Sequence, residues 1–184
     1  MIIPVKWWLT LIAIPAFSAA AVTPDDIQRD IKYFWPAEFS QKIPDADWNT
    51  TLANISAGRA DWIALAAQLA PVMDRPHAIQ LGKALYDALL PNAEDTLAVL
   101  AILDKNQHNY PFQQGTGTSC VPPLNKSGDG LLDPQDYEQT RLALLDVGPQ
   151  GADCLWTSEA LAEEVKADAR SKANGKNRGN KSLW

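Results

Sequence analysis

Prolines and helix-starting residues cut the chain between residues 23 and 104 into short runs, and inside each run the apolar positions recur three and four residues apart. That punctuation admits several short helices packed on one another and little else. Thr23 is a cap, Pro24 suits a first turn, and Asp25 and Asp26 complement the positive end of a helix dipole. Ile27, Ile31, Phe34 and Trp35 then share one face until Pro36 stops the run, and a linker containing Pro44 follows. A second helix is expected from Asp45 or Asp47 to Gly58, turning Trp48, Leu52 and Ile55 inward.

Residues 60–70 predict a third helix with Trp62, Leu65, Ala66 and Leu69 on one side, closed by Pro71. Asp74 caps a fourth, which turns Ile79, Gly82, Leu85, Tyr86 and Leu89 inward before Pro91. Asn92 with Asp95 resembles a capping box, and the run 97–103 behind it is apolar on all sides. A helix apolar all round is buried all round, so this one is expected at the centre, with short connections packing neighbours antiparallel. Helical spacing returns from Pro134 to about 147, with Tyr137, Leu142, Leu144 and Leu145, and a weaker run covers 158–172. The composition, rich in Ala and Leu and modest in β-branched residues, agrees. The fold class is therefore all-α: a single irregular helical domain of roughly six helices over 22–172, without a repeat period.

Residues 1–21 read as a signal peptide. Lys6 is the charge, Trp7 to Ile14 the apolar core, Pro15 a break, and Ser18-Ala19-Ala20-Ala21 the small residues for cleavage. The apolar stretch is shorter than the ~20 residues a spanning helix needs, so no transmembrane segment is expected in the mature chain. Export to the periplasm or the medium follows, leaving roughly 160 residues, enough to bury a core. In such an oxidising compartment Cys120 and Cys154 are expected to pair. The net charge of −6 argues against nucleic acid as a partner. Residues 173–184, a Gly, Asn and Lys mixture, are expected to be a mobile basic tail.

One segment carries a chemical pattern. Asn125, Ser127 and Asp129 alternate as oxygen donors, Gly130 follows, the Leu131 carbonyl and Asp133 come next, and Asp136 stands twelfth. This spacing resembles the calcium loop of the EF-hand family, which wraps a hard cation in alternating oxygens. The resemblance implies Ca²⁺ held by Asn125, Ser127, Asp129, Leu131, Asp133 and Asp136, weakly, at ~10⁻⁴–10⁻³ M as in extracellular modules. The sequence departs from the family at three points: Asn replaces the first Asp, Asp136 is shorter than Glu, and Pro122-Pro123 precede the loop in place of a helix. The same residues also make a plain turn and helix start, with Asp133 as cap and Pro134 in the first turn. On that alternative there is no cofactor.

Motifs for hydrolytic or nucleophilic catalysis are missing from the sequence, and an enzyme is not expected. His77, in a first helical turn, reads as a surface residue, and Gly115 to Thr118 as a flexible linker. The non-periodic stretch 104–130 is long for a compact domain, and long loops of this kind tend to be functional. His108, Tyr110 and Phe112 in it are candidate contacts for a protein partner in the envelope. The function expected is that of a non-catalytic binding protein, for instance an inhibitor or immunity protein against a secreted toxin; a calcium-dependent module and an envelope enzyme pairing His108 with the acids of 125–136 are the alternatives.

Overall fold

A computed structural model of the chain describes residues 22–34, 36–123 and 133–173. The expected signal peptide 1–21, Trp35, the candidate loop positions Asn125, Ser127, Asp129 and Leu131, and the expected tail from 174 on lie outside the described residues. The fold is all-α, and Cys120 is bonded to Cys154. The elements are α1 (Pro24–Tyr33), α2 (Pro36–Lys42), α3 (Asp45–Ser56), α4 (Ala60–Ile63), α5 (Ala66–Leu69), α6 (Arg75–Ala88), α7 (Ala93–Asn106), α8 (Thr116–Ser119), α9 (Pro134–Asp146) and α10 (Ala152–Ala173). No helix among the described residues is long and apolar enough to cross a membrane.

Side-chain caps start the helices where the residue types say they should. Thr23 Oγ1 accepts from the Asp26 N–H, while the Asp26 carboxylate accepts from the Thr23 N–H at 3.0 Å, a complete capping box. Asp74, Asn92 and Asp133 accept from the backbone three residues on. The expected linker after Pro36 is instead helix α2, with Phe39 fully buried. Proline there opens a new helix after ending the last, as its fixed φ allows at a first position.

The run 60–70 is broken where a continuous helix was expected. The Leu65 N–H reaches back to the Trp62 carbonyl, the last turn is a 3₁₀ segment, and Trp62, Ile63, Leu65 and Leu69 are all buried. A regular helix points neighbours 62 and 63 well apart; tightening the turn lets both enter the core. Helices α3 and α6, on either side of this crossover, run in the same direction. Trp48 Nε1 donates to Gln80 Oε1 near their starts, and Ser56 Oγ meets Asp87 near their ends.

Helix α7 is not central in the way its composition predicts. Leu97, Val99, Leu100 and Leu103 are buried, but Ala98, Ala101 and Ile102 face outward. Helix α6 buries more of itself, from Ala78 through Tyr86 to Ala88, yet Ile79, expected inward, is 65% exposed. Leu142 and Leu145 of α9 are likewise exposed and only Leu144 of that trio is buried. The last helix starts at Ala152, so Cys154 sits in its first turn and not in the segment before it. The disulfide joins it to the end of α8, its Cα atoms 5.2 Å apart and both residues buried.

Candidate functional site

The stretch after α7 is where the structure departs most from a loose loop. Asp104, in the last turn of α7, holds Thr116 twice: Oδ1 accepts from the backbone N–H at 2.9 Å and Oδ2 from Oγ1 at 2.6 Å. Gly115 sits between them at φ +121°, a conformation for which glycine is the natural residue, and a Cβ there would overlap the Asp104 carboxylate. Residues 116–119 then form the short helix α8, so the expected flexible linker is an ordered element. The result is a compact loop over 105–115 whose ends meet, an Ω-loop in form. Gln114, next to the closed end, ties the loop to α6 by donating Nε2 to the Ala78 carbonyl at 3.1 Å. Because Asp104 ends α7 and Ala78 begins α6, these bonds fix the two helices antiparallel.

Two depressions flank this loop and share Pro111 and Phe112 as their common ridge. One, about 610 Å³, opens toward α2 and the start of α6, and His108, Tyr110 and Phe112 line it with Val72, Met73 and Asp74. The three candidate contact residues are thus gathered in one hollow. Tyr110 and Phe112 pack against the core as half-buried side chains, while His108 is exposed. Burial raises the Tyr110 phenol above its ordinary value, so it is neutral at any physiological pH. The other depression, about 650 Å³, runs along α6 and is lined by Ala78, Ile79, Gly82, Phe112 and Gln114, with Arg75 and Lys83 at its edge.

His77 is not the surface residue its position suggests. Its side chain is 20% exposed, Nδ1 lies 2.6 Å from Asp74 Oδ1, and its ring meets Trp48 edge-on at 5.0 Å. Partial desolvation works against ionisation of Asp74, but the His77 N–H and ring together hold the carboxyl below the usual range. This pair braces the start of α6, and with it one wall of the hollow.

Of the calcium-loop positions, Asp133 and Asp136 are described. Asp133 Oδ1 accepts from the N–H groups of Gln135 and Asp136 at 3.0 and 3.2 Å, the work of a helix cap. Burial, then Asp87 and Asp133, raise the Asp136 carboxyl, with Lys83 opposing. The same quarter holds the buried Tyr86, whose phenol burial pushes up to about 12 against the pull of the Thr140 hydroxyl, with Asp136 and Asp87 adding to the rise. Among the described residues no three His, Cys, Asp or Glu side chains converge to hold a metal ion. His108 shares its hollow with Asp74, whereas Asp136 acts on Asp87. Those two ends of α6 are ~20 Å apart at 1.5 Å per residue, which separates His108 from Asp136, while Asp129 lies outside the described residues.

Sequence reasoning passed over Asp104 and Gln114, and it turned Ile79 into the core where the structure leaves it exposed. Asp104 and Gln114 act across 12 and 36 residues, and nothing in a linear pattern marks such pairs. Neither a family model, nor a curated protein, nor a solved structure matches the chain.

Proposed function

We propose that the protein is an exported, non-catalytic binding protein of the periplasm or extracellular space, and that its 105–115 loop docks a protein partner. The observation that carries the reading is the loop's construction. Two aromatic residues crown a segment whose ends are clamped by Asp104, whose exit is tied to α6 by Gln114 and whose following short helix is stapled by the disulfide. A preorganised apolar ridge between two hollows costs little ordering entropy when a partner arrives. A buried disulfide agrees with an oxidising compartment, and the leader-like residues 1–21 supply the route there. Inhibition of, or immunity to, a secreted toxin is one concrete form, by analogy with small acidic exported proteins as a class.

The test is photocrosslinking from position 113, exposed beside Phe112, in the envelope of producing cells, with the native loop and with Tyr110→Ala and Phe112→Ala combined. A discrete crosslinked protein is expected with the native loop, and the double variant should lose it with its helicity unchanged. Equal capture by the double variant would refute the docking surface. Mass spectrometry of the natural product tests export separately: an intact amino end with two free thiols would remove it.

A further inference from the structure

We infer that the hollow between α2, the start of α6 and the 105–115 loop seats an arginine side chain of the protein partner. The inference rests on the docking reading above and names what that surface recognises. Among the described residues that line the hollow there is no lysine or arginine, and Asp74 is the single carboxylate. Its backbone N–H donates to Ser40 Oγ at 2.9 Å, and Ser40 Oγ donates onward to the Val72 carbonyl at 3.2 Å. Asp74 Oδ1 accepts from the His77 N–H at 3.0 Å and lies 2.6 Å from Nδ1 of the ring, which is braced against Trp48. A carboxylate oxygen can only accept, so Nδ1 carries the proton. Among the described residues nothing donates to Oδ2.

This arrangement selects the occupant by charge. Asp74 keeps 46% of its side chain exposed to water. A partner side chain that fills the hollow takes that water away, and a carboxylate stripped of water is costly unless a positive charge replaces it. An aliphatic or aromatic occupant brings none, and an anion adds repulsion. The net charge of −6 favours the approach of a basic partner to the molecule as a whole.

Tyr110 and Phe112 decide between the two basic side chains. Both are half-buried against the core, and both line the hollow with Val72 and Met73. A guanidinium is weakly hydrated and stacks on aromatic rings, whereas an ammonium is a compact, strongly hydrated charge. Arginine is also enriched at interfaces, where lysine is depleted.

Butylguanidinium, butylammonium and the neutral butylurea are the probes, titrated at constant ionic strength against the full oxidised protein and followed by amide resonances. The titrations are run at about pH 8, above the ordinary histidine range, so that no imidazolium competes for Asp74. Butylguanidinium is expected to shift Asp74, Tyr110 and Phe112 saturably, and the other two to bind at least about threefold more weakly. Asp74→Asn keeps a good helix cap and removes the charge. It should weaken butylguanidinium about three- to fivefold and bring it level with butylurea. Absence of saturable shifts, equal affinity of butylurea, or indifference to Asp74→Asn would each overturn the inference. Tighter binding of butylammonium would make the occupant a lysine and overturn it too. Crosslinking from position 113 does not depend on these probes. A crosslink retained without butylguanidinium binding therefore removes the arginine alone, and butylguanidinium binding without a crosslink removes the docking reading and the partner with it.

Discussion

Replacing Asp104 by Ala is the sharpest test of how the loop is held. The carboxylate makes two short bonds to Thr116, one to the backbone N–H and one to the hydroxyl. Hydrogen bonds to a charged group contribute about 1.5–3 kcal/mol each. Asp104 and Thr116 are half-buried, so water recovers part of what is lost, and halving the sum gives ~1.5–3 kcal/mol for the pair. With a urea slope near 2 kcal/mol/M, the midpoint should fall by about 0.75–1.5 M. Asp104→Asn should cost no more than about 1 kcal/mol, because its amide oxygen still accepts from the Thr116 N–H. Thr116→Val removes one of the two bonds, and its double-mutant cycle with Asp104→Ala should return a coupling of ~1 kcal/mol.

Gly115 makes the argument stricter. Gly115→Ala faces two penalties, the backbone at φ +121° and the overlap of its Cβ with the Asp104 carboxylate. Truncating Asp104 relieves the second and leaves the first. The two changes together should therefore destabilise by less than their sum. A loss below about 0.5 kcal/mol for Asp104→Ala, the range of ordinary surface changes, would refute the clamp, and so would strict additivity with Gly115→Ala.

Three further outcomes are expected. Cys120→Ala with Cys154→Ala should lower stability by roughly 3–4 kcal/mol, since the bond closes 34 residues of chain, and dithiothreitol should reproduce the loss in calorimetry. Asp26 is held at about 2 against an ordinary 3.8 by its bonds to Thr23 and Arg29; its stabilisation is complete above the higher value and is lost as pH falls toward the lower, so Asp26→Asn should flatten the fall in helicity over that window. Asp133→Ala should cost about 1 kcal/mol as a lost cap with or without calcium, whereas a millimolar Ca²⁺ stabilisation abolished by Asp129→Ala would establish the loop as a metal site.

What was legible in the sequence follows the range over which each interaction acts. Thr23, Asp74, Asn92 and Asp133 bond to backbone three residues away, so a window of a few letters contains the whole interaction. Periodicity found the inward faces of Trp48, Ile55, Leu85 and Leu89 for the same reason. It misplaced Ile79 because the rule assigns an apolar residue to the core whenever the angle permits. It misplaced Ile102 because a helix apolar on all sides still shows one side to solvent when it packs at the rim. The helix at 36–42 was hidden by its proline, which reads as a terminator and is also an initiator.

The site was legible in part, and the part that was missed is the part that makes it specific. Tyr110 and Phe112 stood out as aromatics in a polar stretch, and both lie in one hollow. The features that turn an aromatic stretch into a defined surface are the Asp104–Thr116 clamp and the Gln114–Ala78 tie. The first joins the end of α7 to the start of α8, and the second joins the loop to the first turns of α6. A window of a few letters contains neither pair, because the partners meet only once α6, α7 and α8 have packed. Local rules therefore find the aromatic side chains and miss the bonds that hold them in place.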